Sequence, residues 1–221
     1  MQGVRNAGMK VKDEDFEGNK SARKILVLFA HPAQARSEVN IPLFSDAQNN
    51  QHVTAVDLYA EYPDFNIDIE CEQQRLINHD VIVFLFPLYW YSTPSILKEW
   101  QDLVLEYGFA YGQDGTALKD KLFLCAISAG GKEEAYQSDG FNHFTIRQLL
   151  QPLEQMASIT HMTYLAPFAL FGSRTAHEEH RINEHRKKWE TLLEKLATRQ
   201  LDMDKATTIE NLADLCKQKG E

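Results

Sequence analysis

A chain of 221 residues, 43% hydrophobic and 25% charged, is long enough for one α/β domain with a full core and short for two. Its formal net charge of −9 excludes general nucleic-acid binding, which needs Lys and Arg to displace counterions from phosphates. No apolar run approaches the roughly twenty residues of a membrane span, residues 1–23 lack the apolar stretch of a secretory signal, and Cys71, Cys125 and Cys216 follow neither disulfide nor zinc-ligand spacing, so the expectation is a cytoplasmic protein without a metal site.

Residues 1–23 are polar and aperiodic and are expected to form a mobile N-terminal extension. Lys24–His31 reads KILVLFAH, an uninterrupted apolar run that fits a strand buried on both faces of a parallel sheet. Ser37–Asn49 is expected to be helical, and His52–Leu58 to be a second strand. A helix over Asp68–Asn78 precedes the second fully apolar run, Val81–Pro87. Thr93-Pro94 predicts the start of another helix, with Thr93 as N-cap and Pro94 at its first position. Its apolar residues Ile96, Leu97, Trp100, Leu103 and Val104 recur at three and four. Lys121–Ser128 is the third apolar run, and Phe144–Ala157 carries Leu149, Leu150, Leu153 and Met156 at helical spacing. A last strand is expected over Thr163–Phe171 with Pro167 at an edge or bulge. His177–Arg199 reads as a closing surface helix, and 202–221 as a tail with a short helix. Strands alternating with helices predict one doubly wound α/β domain over residues 24–200, with a five-stranded parallel sheet in the order 2-1-3-4-5.

In such a fold, ligands bind outside the carboxyl ends of the strands where the strand order reverses. The loops after Phe29, Phe86 and Ile127 then matter, and each is unusual. In the first, His31 offers a donor at a strand end, and Ser37, Glu38, Val39 and Asn40 stand where a helix begins. Free backbone N–H groups and the positive end of a helix dipole suit a phosphate. Neither GK[ST] nor GxGxxG is present, and helix capping alone explains Ser37 equally well. The second loop runs Pro87-Leu88-Tyr89-Trp90-Tyr91-Ser92-Thr93-Pro94. Three consecutive aromatics on a turn point different ways and do not share a core; a planar ligand accounts for them, as does an interface patch. In the third, Ser128-Ala129-Gly130-Gly131, paired glycines allow close backbone approach or positive φ, or a simple tight turn. Tyr136 and His143 lie within reach of the same cleft, although spacing alone selects neither.

Together these loops resemble the flavodoxin-like NAD(P)H:quinone oxidoreductases of the DT-diaphorase type, and within that group the bacterial ancillary oxidoreductases of glutathione-regulated potassium efflux systems. The likeness covers residues 24–199. It rests on His31-Pro32 with Ser37 and Asn40, on Pro87 to Pro94 followed by Leu97, Lys98 and Trp100, on Gly108 to Gly112, Gly115 to Leu118, and on Ser128 to Gly131. The resemblance implies a flavodoxin-like three-layer sandwich that binds FMN, with FAD as the alternative, and takes electrons from NAD(P)H. It implies that His31 and Ser37 to Asn40 hold the flavin phosphate side, that Pro87, Leu88, Tyr89 and Trp90 lie along the isoalloxazine, and that Ser128, Ala129, Gly130 and Gly131 contact its far edge. Tyr111, Tyr136, Phe141 and Asn142 would border the pocket shared by nicotinamide and acceptor, with Tyr136 and His143 as the catalytic proton relay. Two departures stand out: Ala129 replaces a threonine of many relatives, and the family's tyrosine–histidine spacing of six leads from Tyr136 to Asn142, one short of His143.

The implied chemistry is two-electron ping-pong transfer from NAD(P)H to flavin and then to a quinone-like acceptor, in a cytoplasmic homodimer. The alternative is a regulatory module docked on the cytoplasmic face of a potassium efflux transporter, peripheral at the inner membrane, using its flavin as a redox sensor. A plain electron-transfer flavodoxin lacks a use for the aromatic second loop.

Overall fold

A computed structural model describes residues 21–216. The three apolar runs form β1 (Ile25–Phe29), β3 (Val81–Pro87) and β4 (Leu122–Ser128), and every residue in them is buried. A strand covered on both faces has no position for a solvated side chain, which is why these segments read apolar throughout. With β2 (Val53–Asp57), β5 (Thr163–Tyr164) and β6 (Phe168–Leu170) they make one parallel sheet in the expected order β2-β1-β3-β4-β5, with β6 also on β4. The last strand is thus divided. β5 pairs with Leu122 and Phe123, and β6 pairs with Ala126 to Ser128. Pro167 lies in the interruption, where it has no N–H to contribute to a ladder.

Successive strand residues point to opposite faces, so the sheet carries two cores. On one side Leu26, Leu28, Ile82, Phe84, Phe123 and Cys125 meet Leu76 of α3 (Ile69–Ile77), Ile96, Leu97 and Trp100 of α4 (Ser95–Val104), and Leu153 of α6 (Gln151–Ile159). On the other, Ile25, Val27, Val81, Val83 and Leu124 meet Leu43 and Phe44 of α1 (Asn40–Gln48) and Trp189, Leu192 and Leu196 of α7 (Arg181–Ala197). Two single-turn helices, α2 (Leu58–Glu61) and α5 (Ile146–Leu149), and α8 (Met203–Thr208) complete the set.

Three expectations need correction. α4 begins at Ser95, and its cap is Pro94, with extended ψ of 151° and no side-chain cap; Thr93 does not cap it. The helix expected over Phe144–Ala157 breaks at Leu150 into α5 and α6. Pro152 lacks the N–H that a continuous helix would bond back to Gln148, and Thr145 starts α5 with a reciprocal capping box to Gln148. Residues 202–216 do not stand apart as a tail. Asp202 caps α8, and Leu201, Ala206, Leu212, Ala213 and Cys216 are buried in the second core, so the domain runs past residue 200. The expected mobile extension falls almost entirely outside the described residues; near its end, Arg23 N–H donates to the Ala197 carbonyl at 2.9 Å. Among the described residues, no helix is long and apolar enough to cross a membrane and no His, Cys, Asp or Glu cluster could hold a metal ion.

Candidate functional site

A cavity of about 800 Å³ opens at the carboxyl ends of β1, β3 and β4, where the order reverses between β1 and β3. Its first wall is the loop after β1. The buried His31 ring accepts the Ala33 N–H at Nδ1, 3.1 Å away. Burial holds His31 below its ordinary pKa, so the ring is neutral at neutral pH and carries its proton on Nε2. Ser37 Oγ accepts the N–H groups of Asn40 and Ile41, each at 3.2 Å. Ser37, two residues before the N-cap Val39, thus satisfies the first two N–H groups of α1, and its hydroxyl hydrogen is left to donate. Arg36, Ser37, Glu38 and Val39 line the cavity here. Asn40, directly behind them, is 0% exposed, and both polar atoms of its side chain lack a partner. A buried amide in that state is costly, and a polar ligand group in the cradle would relieve it.

The second wall is Pro87, Leu88, Tyr89, Trp90 and Tyr91. Leu88 N–H donates to the Ser128 carbonyl at 2.9 Å, tying this loop to the third. Tyr89 and Ser92 bridge in antiparallel fashion, with Ser92 N–H on the Tyr89 carbonyl at 3.1 Å, and the two residues between them, Trp90 (φ 49°) and Tyr91 (φ 62°), are both left-handed. This is the backbone of a hairpin turn that ordinarily selects Asn-Gly. It leaves Trp90 92% exposed.

In the third wall, Ser128, Gly130 and Gly131 line the cavity, while Ala129 is buried behind it, its N–H on the Leu170 carbonyl and its own carbonyl taking Ser173 N–H, both at 2.9 Å. Neither glycine has a positive φ; a Cβ on Gly130 would stand 3.2 Å from Arg174 Nε, and one on Gly131 3.2 Å from the Tyr136 ring. The pair thus serves close approach. Tyr136 ends a 3-10 turn, Glu133–Tyr136, and packs 5.3 Å from the Phe171 ring. Burial raises the Tyr136 pKa, against an opposing Gly131 backbone hydrogen bond and the Arg174 charge, so the phenol stays protonated at neutral pH. Asn142 lines the cavity and accepts the Tyr91 hydroxyl at 2.9 Å. Phe141 stands at the rim, 85% exposed.

Of the expected site residues, Asn40 and Ala129 sit behind the lining, and His143 and Tyr111 lie away from the cavity. His143 is the exposed, left-handed corner (φ 61°) of the turn closed by its N–H on the Gly140 carbonyl. The extra residue after Asn142 carries it past the pocket. Tyr111 sits edge-on to Tyr107 at 5.7 Å and packs on the first core. The cavity also includes Tyr91, the third member of the aromatic triplet, and Arg36, Ala135, Ser173 and Arg174, to which the sequence assigned no role. The last two follow β6, and the rule that strand carboxyl ends carry ligands could have pointed to them.

The chain belongs to the flavodoxin-like fold family, whose model matches residues 23–193. Among its relatives, it is 48% identical over 151 residues to a glutathione-regulated potassium-efflux system ancillary protein, KefG, of Serratia proteamaculans, covering 68% of this chain and 82% of that one. The solved general stress protein 14 of Treponema denticola, in complex with FMN, is 35% identical with a TM-score of 0.73, covering 78% of this chain and 99% of the other. An NADPH-quinone reductase from P.pentosaceus is 30% identical with a TM-score of 0.66, over 79% and 97%.

Proposed function

We propose that this chain is an FMN-dependent NAD(P)H:quinone oxidoreductase. The observation that carries this reading is the convergence, in one cavity, of an anion cradle at Ser37 to Val39, an aromatic shelf at Tyr89 to Tyr91 and a glycine wall at Gly130 and Gly131, with the unsatisfied Asn40 amide behind the cradle. The solved relative with FMN and the relative named a quinone reductase support it. Bound FMN supplies reversible two-electron chemistry. His31 through Nε2–H, the Ser37 hydroxyl and the amides of Glu38 and Val39 hold its phosphate. Pro87, Leu88, Tyr89 and Trp90 flank the ring, and Gly130 and Gly131 let backbone reach its edge. Tyr136, a phenol kept protonated by burial, donates the proton an acceptor takes up, and Asn142 and Phe141 border the space that donor and acceptor use in turn. Neither Tyr111 nor His143 has a part in this reading.

Purified protein should be yellow or take up FMN at micromolar concentration, and should reduce a soluble quinone with NADH or NADPH. Tyr136→Phe should lower turnover about tenfold, less than the roughly hundredfold at the low end for a lost general acid because water in the open cavity replaces it in part, with FMN affinity unchanged because the proton is needed only in the transition state. Equal turnover in steady-state assays would mean that solvent supplies the proton. Trp90 and Phe141, exposed at the rim of the cavity, suit coverage by a second copy; sedimentation at the mass of one chain opposes that. The relative named for a potassium-efflux system supports a second role at such a transporter's cytoplasmic face, tested by whether efflux still responds to the Tyr136→Phe chain.

A further inference from the structure

We infer that Arg174 is a positioned cation that stabilises the negative charge a bound flavin ring gains on reduction, and thereby sets its redox potential. This rests on the flavin reading above.

Three charged residues line the cavity: Arg36, Glu38 and Arg174. The first two belong to the phosphate cradle after β1, and the neutral His31 adds no charge there. Around the glycine wall the lining is Ser128, Gly130, Gly131, Ala135, Tyr136, Phe141, Asn142, Ser173 and Arg174. Among the residues that line the cavity, Arg174 is therefore the sole formal charge beside the glycine wall. Among the described residues it forms no ion pair or hydrogen bond, and the group its charge is felt by is the neutral Tyr136 phenol.

Its backbone is fixed to the wall it serves. Ala129 N–H bonds the Leu170 carbonyl at 2.9 Å, Gly172 N–H bonds the Gly131 carbonyl at 2.7 Å, and Ser173 N–H bonds the Ala129 carbonyl at 2.9 Å. Arg181 clamps the outer side, donating from its two terminal nitrogens to the carbonyls of Phe171 and Gly172 at 2.9 and 3.0 Å. Gly172 takes a left-handed φ of 61° to make the turn. The Arg174 guanidinium lies across Gly130, with Nε 3.2 Å from where a Cβ would be. A side chain at position 130 would press on it and shift it by a few tenths of an ångström, and this gives the first glycine of the pair a purpose that turn geometry does not.

Two-electron reduction of an isoalloxazine places negative charge on the edge that bears its carbonyl groups. A cation carried by a held loop beside the wall that receives this edge favours the reduced form over the oxidised form, because the interaction is stronger with the charged state. Arg174 is exposed, so solvent screens it, and the expected effect is about tenfold, well short of the value for a buried pair.

The test uses the full chain loaded with FMN, in wild type, Arg174→Gln, Arg174→Met and Arg174→Lys. Two readouts need no turnover. One is the two-electron potential, by equilibration with a reference dye. The other is sulfite affinity: the sulfite lone pair forms a reversible S–N bond to the ring, and the displaced electron pair stays on the ring as negative charge, with no net oxidation. Both neutral variants should bind sulfite about tenfold more weakly, with a potential lower by the equivalent about 30 mV for a two-electron couple. Lys should restore most of the difference, and higher salt should shrink it. Unchanged potential and sulfite affinity in a neutral variant that retains FMN would overturn the proposal and leave the flavin reading intact. Failure of wild type to hold FMN would overturn both.

Discussion

Trp90 and Tyr91 occupy left-handed backbone, at φ of 49° and 62°, where a bulky L-residue loses about 1–2 kcal/mol relative to the right-handed region. A turn of this shape normally places Asn or Gly at these positions, and an exposed indole gains little burial to compensate. Strain of this kind persists where function selects the side chain. Trp90→Asn should therefore raise the stability of the FMN-free protein by about 1 kcal/mol, a melting shift of about 2–4 °C for a domain of this size, while weakening FMN binding. Thermal unfolding with and without FMN checks both signs; a variant that melts lower without FMN would remove strain as the reason. The aromatic triplet was legible in the sequence because three adjacent rings cannot share one core. The two left-handed residues were not, because positive φ is anticipated only where Gly, Asn or Asp stands. For the same reason the roles of Gly130 and Gly131 stayed open: two glycines together do not say whether they free a dihedral or a surface, and here they free a surface.

Three helices on the first face of the sheet meet at one buried carboxylate. Glu72, at 0% exposure in α3, accepts the Tyr62 hydroxyl at 2.7 Å and the Trp100 indole N–H at 2.9 Å, and pairs with Arg75, which also reaches Glu61 at 2.8 Å. Tyr62 follows α2, and Trp100 lies in α4, the helix that the aromatic loop enters. Glu72→Ala leaves a buried indole N–H and a guanidinium short of their acceptor and should cost about 3–5 kcal/mol, read as a lower urea midpoint. Glu72→Gln, which keeps acceptor and volume, should cost less; equal losses in the two would mean that the charge, and not packing, holds the helices. Periodicity places Trp100 on an apolar face but gives no sign that its nitrogen needs a partner on another helix. Element boundaries failed for a similar reason. Thr93-Pro94 and Thr145 are both plausible caps, and only the path of the incoming chain decides that Thr145 caps and Thr93 does not.

At the scale of the whole molecule, the doubly covered sheet was readable because three strands have no polar position; right-handed crossovers leave more than one doubly wound order open, and of these the sheet takes the expected 2-1-3-4-5. The contribution of 202–216 was not readable, since its apolar residues are few and irregularly spaced and find their places only once α7 has closed the second core. That closure buries His185, which stacks on Phe168 of β6 at 4.3 Å. Burial, with Lys188 and Arg181 adding repulsion, lowers its pKa from 6.5 to about 3. His31 and His79 are lowered by burial as well. All three are held neutral in the fold, whereas in the unfolded chain they take up protons near the ordinary histidine value of about 6.5. Below that value the unfolded state binds more protons than the native one, so the free energy of unfolding rises with pH across this window and falls on acidification. The stability is present above about 6.5, and the His185 share is lost progressively as pH drops toward about 3. Each such group adds a slope of up to about 1.4 kcal/mol per pH unit. Urea unfolding at stepped pH between 7 and 4 should show this decline, and His185→Leu, which keeps the apolar contact with Phe168 and removes the proton site, should flatten it by up to one proton. Because His185 lies on the face opposite the first core and does not line the FMN cavity, FMN uptake at pH 7 should be unchanged in that variant. An acid limb of identical slope in the two proteins would place the protonation elsewhere, with His31 next in line: there a second ring proton would break the Ala33 N–H bond to Nδ1, and acid loss of stability would come with loss of FMN.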